Sequence, residues 1–308
     1  MARCHSSAGD YGTRPPLTGK RHNPRLHTNG IGHMRVSYTT YSAPTWSLER
    51  HVAVSTELGC EGLELRNLDG QPIDPAMPED RRTAIFETVA DAGLEVCVVG
   101  SSARFALPSA ADRRQAVEQA VAFVELADAW DAPIVRVFGG SYDPGPSDDE
   151  VNGWVAEALR EVAVAADTYG IRLALETHDA FSTGQRVRRV LDLANHTGIG
   201  VVWDFAHPVR HGETVDQTWD LIHRDVIHAH FKDMKLTGGG RDGWESVGPG
   251  EGDLPLADMV GRLVRTHYDG YISTEWEGRD PDGADDPADA LRAHTSAVRN
   301  LIAQARGN

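Results

Sequence analysis

The sequence lacks the features of a membrane-bound or disulfide-rich secreted protein. No run reaches the roughly 18 consecutive apolar residues that a membrane-spanning helix requires. The amino-terminus has no apolar core of the kind found in signal peptides. The three cysteines, Cys4, Cys60 and Cys97, form neither a Cys-x-x-Cys motif nor a paired framework. These absences predict a cytoplasmic protein that does not associate with membranes.

Positive charge is scarce as well. The chain has 30 Lys and Arg residues against 46 Asp and Glu residues, for a formal net charge of −16. A surface of this sign repels phosphate backbones, so nucleic acid is excluded as a partner. The 308 residues, 40% of them hydrophobic, suffice for one (β/α)₈ barrel of about 250 residues and an extension.

The first 33 residues differ in composition from the rest of the chain. They are rich in Gly, Pro, Arg, His and Asn and nearly devoid of Val, Ile, Leu and Phe. Such a segment cannot bury enough apolar surface to offset the entropy that ordering costs. We therefore predict a disordered extension over residues 1–33 and one barrel domain over residues 34–308.

Strand and helix signals alternate from Arg35 onward. Many of the strand signals are continuous apolar runs, which are typical of parallel strands buried on both faces. The runs are Arg35–Thr39, Gly62–Arg66, Glu95–Gly100, Ile134–Gly139, Arg172–Thr177, Gly200–Asp204, Val226–Phe231 and Gly270–Glu275. Helical patterns lie between them, and one begins with a capping box at Ser147-Asp-Asp-Glu150. Eight such repeats predict an α/β fold, a single (β/α)₈ TIM barrel.

Two segments interrupt this alternation. Thr237–Asp253, after the seventh predicted strand, is long, polar and rich in glycine, and Glu277–Asp286, after the eighth, is acidic. We predict both as long loops on the carboxyl side of the barrel, where active sites of this architecture are built.

Four side chains that bind metals occur at the ends of consecutive predicted strands. They are Glu176, Asp204, His230 and Glu275, separated by 26 to 45 residues. A parallel barrel brings its strand ends together, so these four groups are expected to meet. Each alone is as well explained by a structural role, but their occurrence in four consecutive units favours a metal site. Three carboxylates and an imidazole suit Mn²⁺, Mg²⁺, Co²⁺ or Zn²⁺.

Five motifs resemble those of the sugar phosphate isomerase/epimerase family, whose fold is the xylose isomerase-like TIM barrel. The resemblance covers about residues 34–303. The motifs are Glu176-x-His178, Asp204-x-x-His207, His230-x-Lys232-Asp233, Gly248-Pro-Gly-Glu-Gly252 and Glu275. It implies one divalent metal ion on Glu176, Asp204, His230 and Glu275, with Mn²⁺ as the first choice. It also implies a homo-oligomer, a dimer or a tetramer.

The resemblance also suggests which residues contact the substrate. His207 is implied to reach the substrate or a metal-bound oxygen, and Glu251 belongs to a Gly-Glu-Gly turn beside the metal. His178 lies two residues beyond Glu176, and Lys232 follows the strand of His230, so we add both as substrate-binding candidates. An equally good interpretation of His178 is that it contacts a metal ligand and not the substrate. An equally good interpretation of Lys232 is that it forms an ion pair with Asp233 at the barrel rim.

The candidate residues match a definite chemistry. Isomerisation or epimerisation removes a proton from a carbon next to a carbonyl, and a metal stabilises the resulting enediolate. Glu176 and Glu275 are the candidate catalytic acid and base. We therefore predict a metal-dependent isomerase or epimerase of a small sugar, sugar phosphate or cyclitol ketone, acting in carbohydrate metabolism.

Several alternatives remain open at this point. An inosose-type dehydratase would use the same metal and base but expel a β-hydroxyl group, and subunits of two-protein deglycosylating enzymes also resemble this family. Endonuclease IV shares the fold, but residues 244–250 contain no histidine for its further zinc ligands. A barrel that only binds ligands is disfavoured, because all four metal-binding residues are present.

Overall fold

Eight parallel strands close into a barrel in the described part of this computed structural model, which comprises residues 33–241, 243–278 and 286–307. Each strand pairs with its neighbours in the sequence of barrel strands, and the first pairs with the last. They are β1 (Arg35–Thr39), β2 (Gly62–Leu65), β3 (Glu95–Arg104), β4 (Ile134–Phe138), β5 (Arg172–Glu176), β6 (Ile199–Asp204), β7 (Val226–Phe231) and β8 (Tyr271–Thr274). The TIM barrel prediction is confirmed. The disordered extension predicted over 1–33 lies outside the described residues, apart from His33.

Helices follow the strands, connecting each to the next, and the last helix follows β8. They are α1 (Leu48–Glu57), α2 (Glu79–Asp91), α3 (Ala110–Ala129), α4 (Asp148–Asp167), α5 (Gly184–Ala194), α6 (Ala206–Arg210), α7 (Val215–Ile222), α8 (Leu256–Arg265) and α9 (Pro287–Gly307). The predicted capping box begins α4, because the Ser147 side chain accepts from the Glu150 N–H and the Glu150 side chain accepts from the Ser147 N–H. None of the helices in the described ranges combines the length and the apolar character needed to cross a membrane.

The strand bounds agree with the sequence predictions within one or two residues, except in β3. This strand continues to Arg104, four residues beyond the predicted end, and its register against β4 shifts between Gly100 and Arg104. The irregular pairing extends the carboxyl end of β3 and places Arg104 beside Phe138 at the end of β4.

The segment predicted as a long loop after β7 is partly a β-hairpin. Residues Asp233–Arg241 pair antiparallel with Trp244–Val247, so the loop prediction for Thr237–Asp253 is wrong as far as Val247. The run of glycines near Gly238 conceals the pairing, because glycine is unfavourable in strands and typical of turns. The acidic segment predicted after β8 lies largely outside the described residues.

Successive side chains of β6 point alternately to the outer layer and to the barrel interior. Trp203 is fully buried, and its ring lies 5.2 Å from that of Trp219 in α7 and 4.7 Å from that of Phe205. The next residue, Asp204, therefore faces the opposite side, because successive strand side chains alternate. The same alternation puts His228 and His230 of β7 on one side, where both contact Glu64 of β2.

Two glycines give a matched test of the packing around the carboxyl end of β4. A Cβ atom on Gly139 would lie 2.1 Å from Cδ2 of the buried Phe181, whereas one on Gly153 within α4 would meet no atom within 4 Å. We expect Gly139→Ala to lower the free energy of unfolding by about 1–3 kcal/mol through overpacking. Gly153→Ala should raise it by about 1 kcal/mol, because alanine favours a helix over glycine. Denaturant midpoints that move in the same direction for both variants would contradict this packing.

Candidate metal centre and active site

The four predicted ligands lie at the same end of the barrel. Glu176 and Asp204 are the last residues of β5 and β6, His230 pairs with Asp204 in the register of β6 with β7, and Glu275 directly follows β8. The backbone N–H of Glu275 donates to the carbonyl of Phe231 at 2.9 Å, which ties the end of β8 to that of β7. All four side chains are buried.

The carboxylates converge on one nitrogen of the histidine. His230 Nδ1 lies 3.5 Å from Glu176 Oε1, 3.8 Å from Asp204 Oδ2 and 3.6 Å from Glu275 Oε2. This buried nitrogen has no hydrogen-bond partner within the described residues. Burial disfavours the charged imidazole, but the surrounding carboxylates outweigh it and raise the pKa of His230 well above its usual range. The position therefore favours positive charge.

The donor set fits a divalent cation. Ligand atoms of Glu176, Asp204 and His230 lie within 4.8 Å of one another, and Glu275 adds a third carboxylate beside the same imidazole nitrogen. Carboxylate oxygens with one imidazole nitrogen are the ligands of Mn²⁺, Mg²⁺, Co²⁺ and Zn²⁺ sites. A cation here would satisfy the unpartnered Nδ1 of His230.

Glu64 of β2 is a residue of the candidate site that the sequence reasoning missed. Its Oε2 lies 2.9 Å from His230 Nε2 and 3.0 Å from His228 Nε2, and its side chain is fully buried. Burial opposes its ionisation, but the two histidines outweigh this and hold its pKa well below the usual range. A carboxylate on the far nitrogen of a histidine orients the ring and raises its basicity towards a metal. The sequence signal that could have revealed Glu64 is its charge within the otherwise apolar strand Gly-Leu-Glu-Leu.

A guanidinium group sets the electrostatic environment of Glu176. Arg136 of β4 is buried, its Nε lies 3.2 Å from Glu176 Oε2, and its Nη1 donates to the carbonyl of Ser101 at 3.0 Å. Burial opposes ionisation of Glu176, but Arg136 and His230 outweigh it and hold the pKa below its usual range. For Glu275, burial is the largest influence and raises the pKa, against the opposing effect of Lys232. The two candidate catalytic carboxylates thus have different surroundings.

Lys232 lies among the buried carboxylates of the candidate site, not at the rim of the barrel. It is 1% exposed, and its Nζ lies 2.9 Å from Asp204 Oδ2, 2.6 Å from Glu275 Oε2 and 2.5 Å from Glu277 Oε1. The alternative of an ion pair with Asp233 is therefore wrong. Glu277 was not singled out from the sequence, and it pairs with Lys232 two residues beyond Glu275.

Asp233 instead anchors the Gly-Glu-Gly turn. Its Oδ2 accepts from the N–H groups of Gly250 at 2.8 Å and Gly252 at 3.1 Å. A Cβ atom on Gly252 would lie 2.1 Å from Asp233 Oδ1, so only glycine fits at this approach. Glu251 is exposed and accepts from the N–H of Gly248 at 3.2 Å. Its carboxylate is thus engaged within its own turn, and its contact with substrate stays a prediction.

The two predicted substrate histidines lie together beside Glu176. The rings of His178 and His207 are 4.4 Å apart, and each offers a nitrogen within 4.8 Å of Glu176. His178 packs against Phe138 with ring centroids 4.7 Å apart, and its Nδ1 lies 3.0 Å from Asp179 Oδ1. Burial lowers the pKa of His207 to about 4 despite Asp204, so its imidazole is neutral near pH 7. A neutral histidine here can either donate or accept a hydrogen bond.

Comparison of the chain with known proteins finds a family match. A family model described as xylose isomerase-like TIM barrel matches residues 52–298. An inosose dehydratase of Lactiplantibacillus plantarum is 27% identical over 164 residues, which cover 48% of this chain and 54% of that protein. The chain spans about half the length of the first curated relatives it matches.

Solved structures share the architecture at low sequence identity. A structure of L-ribulose 3-epimerase matches with a TM-score of 0.73 and 19% identity, covering 89% of this chain and 96% of its own. The IOLI protein, crystallised with a binding zinc atom, matches with a TM-score of 0.74 and 14% identity, covering 88% of this chain and 99% of its own. At such identities the likeness concerns the fold.

The ion pairs of Lys232 lead to a prediction about stability and metal response. In Lys232→Gln, Asp204 and Glu275 lose their buried ammonium partner, so without metal the free energy of unfolding should fall by about 3–5 kcal/mol. Mn²⁺ should then raise the melting temperature more in the variant than in the native protein, because no ammonium group competes for these carboxylates. Thermal unfolding in EDTA and in Mn²⁺ measures both effects.

Lys235→Gln is the matched control, because Lys235 is exposed on the hairpin after β7. It should behave like the native protein in both conditions. Equal Mn²⁺-induced shifts in the native protein and in Lys232→Gln would contradict competition at these carboxylates.

Proposed function

The chain belongs to the xylose isomerase-like TIM barrel family, and from this premise we propose that it is a divalent metal-dependent isomerase or epimerase. Its substrate would be a small sugar, sugar phosphate or cyclitol ketone. The observation that carries the proposal is the convergence of three buried carboxylates on His230 Nδ1. The acidic chain and the absence of a spanning helix among the described residues agree with a small-molecule enzyme. A cytoplasmic location and a homodimer or homotetramer remain part of the proposal.

Glu176, Asp204, His230 and Glu275 would hold the metal ion, with Mn²⁺ preferred and Mg²⁺, Co²⁺ or Zn²⁺ as alternatives. When bound, the ion would supply electrostatic stabilisation for negative charge that develops on substrate oxygens. Glu64 would keep the ring of His230 in position through its hydrogen bond to Nε2. The IOLI structure contains zinc, which supports a divalent ion but leaves its identity to measurement.

Glu176 and Glu275 would perform the proton transfers. One carboxylate takes the proton from the carbon next to the carbonyl, and the C–H electrons enter the enediolate of the substrate. The other, which starts protonated, returns a proton to the opposite face of the same carbon in epimerisation. In isomerisation it protonates the neighbouring carbon, and the hydroxyl proton of the carbon that lost its hydrogen passes to the former carbonyl oxygen. Glu176 ends β5 and Glu275 directly follows β8, on either side of Asp204 and His230 in the barrel. This placement suits action on two faces of one substrate.

The remaining candidates would hold the substrate. His178 and His207 lie beside Glu176 and would bind hydroxyl or carbonyl oxygens there. Lys232, in contact with Glu275, would orient that carboxylate and contact substrate oxygens on the same side. Glu251 would approach from the Gly-Glu-Gly turn, which Asp233 anchors next to Lys232.

A dehydratase of the inosose type is the second candidate. The relative named inosose dehydratase favours it, because dehydration begins with the same proton abstraction. The enediolate would then expel a β-hydroxyl group, which leaves as water after accepting a proton. Product analysis separates the two, since dehydration changes the mass of the substrate and isomerisation does not.

The test is NMR of ketoses, sugar phosphates and inososes in D₂O with the Mn²⁺-loaded protein and an EDTA control. Metal-dependent deuterium uptake at the carbon next to the carbonyl supports the proposal, and the accompanying product assigns isomerase, epimerase or dehydratase. Stoichiometric metal without deuterium uptake across the panel would count against enediolate chemistry.

Substitution of Glu275 separates its role as a base from its effect on charge. Glu275→Gln should lower the deuterium exchange rate by about 10²–10⁴-fold, because an amide cannot take the proton. Glu277→Gln is the matched control, since it removes another carboxylate that contacts Lys232 but lies outside the proposed metal ligands. Both variants are assayed at saturating Mn²⁺ with bound metal quantified. An equal loss of exchange in the two variants would contradict the assignment of Glu275.

A further inference from the structure

Three arginines gather on the part of the barrel mouth that carries none of the proposed metal ligands. Arg66 directly follows β2, Arg104 ends β3 and Arg136 belongs to β4. A Cβ atom on Gly100 would lie 2.9 Å from Arg66 Cδ and 3.0 Å from Arg136 Nη2, so both side chains cross over this glycine. Arg136 and Arg104 also share a neighbour, since their Cζ atoms lie 4.1 and 5.3 Å from the centre of the Phe138 ring.

The charges of this cluster are only partly neutralised. Arg136 pairs with Glu176 at 3.2 Å, and Arg104 pairs with Asp179 at 3.5 Å. Arg66 has no carboxylate within ion-pair distance among residues 33–241, 243–278 and 286–307, and its buried Nη1 has no hydrogen-bond partner there. Burial, followed by the nearby Arg136, lowers the pKa of Arg66 to about 10, which still leaves the guanidinium charged near pH 7. A buried N–H without a partner is unfavourable, so an acceptor from a ligand would stabilise it.

The backbone of Arg66 is held firmly. Its N–H donates to Thr40 Oγ1 at 2.8 Å, and the adjacent Asn67 N–H donates to the same oxygen at 3.0 Å. The carbonyl of Arg66 accepts from Ile73 at 3.0 Å, across the short hairpin that follows β2. A side chain anchored at its base in this way loses less entropy when a ligand orders its end.

Tyr41 connects Arg66 with the metal-site side of the mouth. It lies in the turn after β1 and is 46% exposed. Burial and the carboxylates of Glu277 and Glu275 raise its pKa, while Lys232 and Arg66 act in the opposite direction. The phenol is therefore within electrostatic range of both Arg66 and Glu275. The geometric link to the proposed site is Arg136, which lies over Gly100 beside Arg66 and contacts Glu176 at 3.2 Å.

We propose that Arg66 binds an oxyanion group of the substrate, a carboxylate or a phosphate, while the reacting carbons lie at Glu176 and Glu275. This rests on the proposed function and narrows its substrate class to an anionic polyhydroxy-ketone. The planar guanidinium presents paired N–H donors that match two oxygens of a carboxylate or phosphate. In a chain of net charge −16, a guanidinium without a described partner beside two other arginines is a local attraction for anions.

The proposal is tested by direct binding to the full-length, Mn²⁺-loaded protein. Isothermal titration calorimetry with inorganic phosphate and with malonate probes the two oxyanion types separately. We expect saturable binding of at least one probe, and Arg66→Gln should weaken it by about 10- to 100-fold, as expected for loss of a charge-assisted hydrogen bond. Arg66→Lys keeps the charge but not the paired donors, so its affinity for the probe should lie between those of the native protein and Arg66→Gln.

Arg114→Gln is the control, because Arg114 is exposed on α3 and should leave binding unchanged. Thermal unfolding of each variant checks that the fold is retained. A tighter response to phosphate assigns a phosphorylated substrate, and a tighter response to malonate assigns a sugar acid. Absence of binding by the native protein, or equal binding by the native protein and Arg66→Gln, overturns the proposal.

Turnover gives an independent readout that separates this inference from the proposed function. For a neutral ketose and its phosphate or carboxylate counterpart, Arg66→Gln should raise the KM of the anionic compound by a similar factor. The kcat for the anionic compound should stay near the native value. The kcat and the KM for the neutral compound should also stay near their native values. Anion binding through Arg66 without any deuterium exchange would leave the anion site standing and reject the isomerase, whereas exchange that is indifferent to Arg66 would reject the anion site alone.

Discussion

The hydrogen bond between Glu64 and His230 is the interaction on which the geometry of the proposed metal centre depends. It holds Nε2 of the imidazole at 2.9 Å and thereby directs Nδ1 towards Glu176, Asp204 and Glu275. Without this bond the imidazole ring could rotate, and Nδ1 would no longer be directed at the three carboxylates. The bond is formed in the barrel interior, where water does not compete, so its electrostatic strength is greater than at the surface.

The surrounding barrel balances a high density of buried charge. Arg136 forms an ion pair with Glu176 on one side. On the other side, Lys232 forms ion pairs with Asp204, Glu275 and Glu277. Isolated charges in such a place would be strongly unfavourable, and each is tolerated because it has an opposite partner. The same balance leaves the β2–β4 part of the mouth with positive charge and the β5–β8 part with donors for a cation. A substrate with oxygens for the metal and an anionic end would complement both.

Much of the architecture was predictable because the strands are buried on both faces and read as apolar runs between helices. The ends of those strands located Glu176, Asp204, His230 and Glu275, and the structure brings these four together. Their roles as ligands and catalysts stay predictions. Local rules also sufficed for the capping box of α4, whose residues are three apart.

Other features depend on contacts that no local pattern reveals. Glu64 and His230 are separated by 166 residues, and only closure of the barrel brings their strands to face one another. For Lys232, an ion pair with Asp233, its neighbour in sequence, was the alternative to substrate binding, but its ammonium group pairs with the interior carboxylates instead. The hairpin after β7 escaped prediction because its glycines are typical of loops, while its pairing is decided by the opposite strand.

A chain of hydrogen bonds links β1 and β8, where the barrel closes, to the proposed metal centre. Ser37 of β1 contacts Ser273 of β8 at 2.7 Å, Ser273 contacts His228 at 3.0 Å, and His228 shares Glu64 with His230. The last barrel strand to leave the ribosome therefore supplies both Glu275 and the serine that completes this chain. A nascent polypeptide that ends before β8 lacks both, so the four proposed metal ligands can come together only after β8 has been synthesised.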